Sequence, residues 1–147
     1  MVFRTAYRIT GSAADAEDVL QTVFLRLLRR DSSARELENE ESYLRRAAIN
    51  AALDVLRAQR SAPTAQLQEL PSSPGRNVLE LRQALARALA QLKPPSAEVF
   101  ALRFLEGFDN AQIAEMLGIS RVLVAVIAHR ARQQLRKELG PYLGGRS

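Results

Sequence analysis

The chain has 147 residues, 47% hydrophobic and 25% charged, with no cysteine and one histidine. That is enough apolar surface for one mid-sized core or two thin ones, and it excludes disulfides, thiolate metal sites and a histidine-built metal site around His129 alone. No apolar run reaches the ~18 residues of a membrane helix and MVFRTAYRITGS lacks a signal-peptide pattern, so a cytoplasmic protein without membrane insertion is expected, while a net charge of +5 favours an acidic partner.

In chain order, a short helix over 2–10 is closed by Gly11, and Ser12 caps a helix over 13–30. The expected buried stripe of this second helix is Ala16, Val19, Leu20, Val23, Phe24 and Leu27, at the i, i+3, i+4, i+7 spacing of an amphipathic helix. Its opposite face holds Asp18, Gln21, Thr22, Leu25 and Arg29. Two readings fit an apolar Leu among polar groups: a protein-docking face, or a solvated face with one stray Leu.

After the polar stretch DSSARELENEES, a helix over 42–60 carries two apolar stripes and is expected to be packed on two sides. Between the stripes runs a ridge of Arg46, Asn50, Asp54 and Arg57, whose spacing projects the side chains together. Asn is awkward inside a helix because its amide competes for backbone hydrogen bonds. A functional reading has Asn50 bonding a base edge while arginines hold phosphates; the structural alternative is an intrahelical Arg–Asp network beside an incidental Asn.

Residues 61–77, SAPTAQLQELPSSPGRN, hold three Pro, three Ser and a Gly and interrupt the helical periodicity. They are expected to be a flexible linker between a helical domain over 1–60 and another over 78–147, an all-α architecture of two small domains. In the second, a first helix ends at Pro94-Pro95, Ser96 caps the next, and Gly107 stops it. Asp109 and Gln112 make a capping box for NAQIAEMLG, Gly118 supplies the turn, and Ser120 caps a last helix with Val124, Ile127 or Ala128, Ala131 and Leu135 inward. Ile113, Leu117 and Ile119 anchor the crossing. This is a helix-turn-helix, a unit used mainly to read DNA. No P-loop, recurring carboxylate pair or nucleophile with a neighbouring base is found, so neither an enzyme nor a cofactor is expected.

The order DAEDVLQTVFLRLLRR, YLRRAAINAALDVLRAQR, linker, KPPSAEVFALRFLEGFDNAQIAEMLGIS and HRARQQLRKEL resembles the extracytoplasmic-function group of sigma-70 sigma factors over nearly the whole chain. The resemblance implies a transcription initiation factor that binds core RNA polymerase and promoter DNA. It implies polymerase docking through Asp15, Glu17, Asp18, Gln21, Phe24 and Leu25. It assigns Asn50, Asp54 and Arg57 to reading the −10 element and brings an anti-sigma factor into view as a partner, and the cost of separating strands calls for backbone charge that Arg45, Arg46, Arg57 and Arg60 can supply.

Three departures from the family pattern stand out. The chain starts one helix late, so an in-frame upstream extension encoding an amphipathic helix is expected. Glu36, Glu38, Glu40 and Glu41 precede the −10 helix where relatives carry an aromatic, often basic segment, and they repel phosphate unless turned away. The recognition helix runs Val122, Leu123, Val124, Ala125, Val126, Ile127, Ala128 with no polar group before His129. Ser120, Arg121, His129, Arg130 and Arg132, with Arg136 and Lys137 beyond them, remain for phosphate contacts. Val122, Leu123, Ala125 and Val126 form an apolar patch suited to a protein partner or to self-association. Two functions therefore compete: a promoter-recognition subunit, and a sigma-like regulator that has lost specific −35 reading and acts through protein contacts. Both rest on tethered, separate lobes with the Arg46–Asn50–Arg57 crest exposed; a single fused body, or burial of that crest, contradicts this arrangement.

Overall fold

The computed structural model describes residues 1–29, 39–61 and 76–140. Among them the elements run α1 (Val2–Thr10), α2 (Ala13–Arg29), α3 (Glu40–Ser61), α4 (Arg76–Gln91), α5 (Pro94–Phe100), a π-helical turn (Ala101–Leu105), α6 (Asn110–Leu117) and α7 (Arg121–Leu139). No single helix among these residues is long and apolar enough to cross a membrane.

Local chemistry sets the ends. Gly11 adopts φ 69°, and its N–H donates to Tyr7 O, while Ser12 Oγ accepts from Asp15 N at 3.1 Å. α3 begins at Glu40 rather than at 42, because Asn39 Oδ1 accepts from Ser42 N at 3.0 Å and caps it. The expected Ser96 cap is not used. α5 opens at Pro94 behind Lys93, since a proline in the first turn lacks only an N–H that has no helical partner there. Beyond Phe100 the helix widens: Glu106 N donates to Ala101 O and Phe108 N to Leu102 O, both at 2.9 Å, before Gly107 turns the chain at φ 82°.

The buried stripe of α2 is narrower than its periodicity predicts. Ala16, Val19 and Val23 are buried, but Leu20 and Phe24 are 40% and 57% exposed. α2 rests on α1 and α3 from one side, and those two helices do not wrap far enough to cover them. α3 is the central strut, as its two stripes require: Ala48, Ile49, Ala51, Ala52, Leu53 and Leu56 are buried, and it packs on α1, α2, α4 and α5.

The larger correction concerns the two halves. They are packed together, with α3 against α4 and α5 and α1 reaching the π-helical turn, and one buried cluster runs from Ala6 to Leu135. The physical reason is that α1 and α2 cover only part of α3, whose remaining apolar surface is closed by the second half. The linker expected over 61–77 falls, for residues 62–75, outside the described residues, as do Glu36 and Glu38.

Replacing Leu53, which is fully buried in α3, by Ala is expected to cost ~2–5 kcal/mol in urea denaturation followed by circular dichroism. Val122→Ala, at a position 74% exposed, is expected to stay within ~0.5 kcal/mol in the same assay.

Candidate nucleic-acid interface

At its N-terminal part the ridge on α3 meets the second half, with 41% of the Arg46 side chain still exposed. Arg46 donates to Glu98 through both Nε (2.6 Å) and Nη2 (3.2 Å), a bidentate fork. Asn50 Nδ2 donates to the same carboxylate at 3.2 Å and to Arg46 O at 3.0 Å. Hydrogen bonding to Glu98 holds the Arg46 guanidinium further above its already high pKa, against the opposing effect of burial. Further along, Arg57 donates to Asp54 at 3.2 Å, so the intrahelical Arg–Asp pair exists. Arg60 lies near the carbonyl of Ala90 in α4, at 3.5 Å.

A second carboxylate repeats the arrangement. The side chain of Glu106 is fully buried; its Oε1 accepts from Arg45 Nη1 at 2.5 Å and from Thr5 Oγ1 at 3.1 Å, and its Oε2 accepts from Arg8 Nη1 at 2.8 Å. Arg45 also pairs with Glu41 at 3.0 Å and lies 5.0 Å from the centre of the Phe108 ring. Glu41 is thus paired within its own helix, its side chain 69% exposed. The expectation of an exposed Arg46–Asn50–Arg57 crest is corrected in part: Asn50 is half-buried and Arg57 is 26% exposed, while Arg46 keeps 41% of its side chain exposed as it pairs with Glu98, whose burial demands cationic and amide partners.

Sequence reasoning missed Glu98, Glu106, Thr5 and Arg8. A signal for Glu98 was present: it shares a helical face with Ala101 and Leu102, both fully buried, and a charge on an apolar stripe needs a partner. Glu106 beside Gly107 reads as an ordinary helix end. At 100° per residue, eight residues of ideal helix leave Glu106 about 80° from Glu98. The wide π turn takes up part of that offset.

On α2, Glu17, Asp18 and Gln21 are exposed beside Phe24 (57%), Leu25 (52%) and Leu28 (68%), forming an apolar face with an acidic edge. Asp15 is not part of it. Its Oδ2 accepts from Gln59 Nε2 of α3 at 2.9 Å, which turns it to another side of the helix.

The helix-turn-helix is set by its caps. Asp109 Oδ1 accepts from Gln112 N at 2.8 Å while Gln112 Oε1 accepts from Asp109 N at 2.9 Å. Gly118 sits at φ 71°, and Ser120 Oγ accepts from Leu123 N at 3.0 Å. α6 and α7 meet at 108°, within the range of the motif. Val124, Ala128, Ala131 and Leu135 are buried, and Ile127 partly so. Arg121, His129, Arg130 and Arg132 are exposed, with Arg132 lying 5.7 Å from the Phe104 ring centre. Val122 (74%), Leu123 (44%), Val126 (38%) and Ala125 lie bare among these cations.

A basic-edged helix-turn-helix behind a second helical unit defines a DNA-binding protein. Two family descriptions match: sigma-70 region 2 over residues 1–62 and sigma-70 region 4 over residues 82–135. The RNA polymerase sigma-E factor of Streptomyces coelicolor is 33% identical over 140 residues, covering 94% of this chain and 79% of that one. The ECF RNA polymerase sigma factor SigM of Mycobacterium tuberculosis is 32% identical over 138 residues, covering 93% and 70%. The crystal structure of the Mycobacterium tuberculosis extracytoplasmic function sigma factor SigJ superposes with a TM-score of 0.52 at 28% identity, covering 92% of this chain and 49% of that one. The chain belongs to the extracytoplasmic-function group of sigma-70 RNA polymerase sigma factors, non-enzymatic factors of promoter-specific transcription initiation.

A double-mutant cycle between Arg46→Ala and Glu98→Ala, read by urea denaturation, is expected to give a coupling energy of about 1–3 kcal/mol. A value indistinguishable from zero means that the fork contributes nothing to joining the halves.

Proposed function

We propose that this sigma factor docks on core RNA polymerase through the exposed face of α2, with Glu17, Asp18 and Gln21 edging Phe24 and Leu25. The observation that carries the reading is that apolar face itself: side chains more than half exposed, edged by acids, on a helix whose other side is fully packed. The α3 ridge of Arg46, Asn50, Asp54 and Arg57, with Arg45 and Arg60 beside it, then captures the −10 element. Unstacking a base costs a few kcal/mol, which is offset by hydrogen bonds to the displaced base and cationic contacts to the backbone. α7 grips −35 phosphates through Arg121, His129, Arg130, Arg132 and the N-terminus capped by Ser120. The work takes place in the cytoplasm, where the polymerase is.

A second reading is favoured by one observation, the exposure of Val122, Leu123 and Val126 where base-reading groups belong. Without polar groups there, discrimination worth about 1–3 kcal/mol per bidentate contact is lost. On this reading the patch is covered by protein, an anti-sigma partner or a second copy, and −35 recognition is non-specific.

Purified core polymerase with this chain is expected to give a specific transcript, which Asn50→Ala or Arg57→Ala abolishes. Phe24→Ala with Leu25→Ala is expected to weaken polymerase binding by more than about tenfold, the scale of an interface hot spot. Absence of any polymerase binding overturns both readings. Leu123→Lys with Val126→Arg separates them. A protein interface predicts loss of self-association or partner binding, together with tighter DNA binding and a steeper salt slope; unchanged behaviour removes the second reading.

A further inference from the structure

We infer that the aliphatic tip of α7 reads DNA through the C5-methyl groups of thymine, so that Val122, Leu123, Ala125 and Val126 give the chain a preference for a thymine-bearing −35 element. The inference rests on the phosphate grip proposed for α7 and names what that grip selects.

Ser120 caps α7, and the first two turns behind it are where a helix-turn-helix presents side chains to base edges. Val124, Ala128, Ala131 and Leu135 are buried, and at about 100° per residue the opposite side of the helix carries Val122, Val126 and His129, all exposed. Leu123 and Ala125 flank them. The two valines stand one turn apart, about 6 Å along the axis, which is close to two base steps of ~3.4 Å.

On the major-groove edges of the four base pairs the thymine methyl is the one apolar group, and the other groups there donate or accept hydrogen bonds. An aliphatic side chain pressed on a guanine or adenine edge strips water from those groups and returns no bond. Against thymine it buries a methyl instead. The tip therefore discriminates by a penalty at the wrong base and by burial at the right one, without a single hydrogen bond.

Charge favours DNA over protein as the occupant. From Arg121 to Lys137 the helix bears Arg121, Arg130, Arg132, Arg136 and Lys137, all exposed, and no acid. A second copy of the chain brings the same cations to the contact, where like charges repel. Four small side chains, none aromatic, also fall well short of the ~800 Å² that each partner of a stable protein complex buries. A duplex asks no such area of the tip, because its phosphates, held by the surrounding cations, supply most of the affinity.

The test selects binders from randomised duplex DNA with the full chain at low salt. The selected duplex is then remade with deoxyuridine in place of thymidine, which keeps every base pair and removes only the methyl. Thymine is expected at adjacent positions of the selected site, and each deoxyuridine placed there is expected to weaken binding about fourfold. Val122→Ser with Val126→Ser is expected to abolish the difference between the two duplexes and to keep the salt slope. Arg130→Ala is expected to weaken both duplexes equally and to flatten that slope by about one.

Equal binding of the two duplexes, with Arg130→Ala weakening both, overturns the methyl reading and leaves the grip standing. Binding indifferent to Arg121→Ala and Arg130→Ala, or no duplex binding at low salt, overturns the grip and the inference with it. A methyl dependence that survives the two serines lies elsewhere on the chain and overturns the inference. So does a dimer, seen by sedimentation, that the serines dissolve while the two duplexes bind alike, since the tip is then a protein interface. Should the serine pair fail to fold, Val122→Ser alone, at a position 74% exposed, carries the same outcomes.

Discussion

Glu98 and Glu106 are carboxylates almost withdrawn from water, one 7% exposed and the other with a fully buried side chain. Each needs compensation for a desolvation cost of several kcal/mol, which Glu98 finds on α3 and Glu106 on both α1 and α3. The apolar surface of α3 supplies non-directional attraction to α4 and α5; the two carboxylates supply direction, since a fork on Arg46 and a pair of arginines on Glu106 are satisfied together in one register. Apolar burial brings the halves together, and the acids decide how they sit.

That register sorts the candidate surfaces. The N-terminal part of the α3 ridge is engaged by the second half, Asp54 is largely solvent-facing, and the α2 face and the α7 patch are both bare. The acid that engages the ridge is carried by α5, ahead of the helix-turn-helix in the same half.

Legibility followed the range of the interaction. The capping box at Asp109 and Gln112, the Gly118 turn and the inward positions of α7 were readable, because each is decided within one helical turn. The ridge on α3 was readable as a face, since i, i+4 spacing fixes direction. The width of a buried face was not: Leu20 and Phe24 lie next to the packed stripe of α2, and only the reach of α1 and α3 leaves them outside. The start of α5 was misplaced because Ser96 is a good cap in isolation, while Pro94 is a better first-turn residue.

By itself, then, the sequence determined an all-helical chain, the capped helix-turn-helix, the apolar tip of its second helix and the motif order of a sigma factor. These are consequences of nearest-turn chemistry and of residue spacing along one helix. Only the tertiary structure decided that the halves close on each other, that Glu98 and Glu106 occupy Arg46, Asn50, Arg45, Arg8 and Thr5, and that Phe24 is bare. Those outcomes join residues 48 to 101 positions apart in sequence. Burial of a charge becomes favourable only once its distant partners are in place, and no local pattern carries that information.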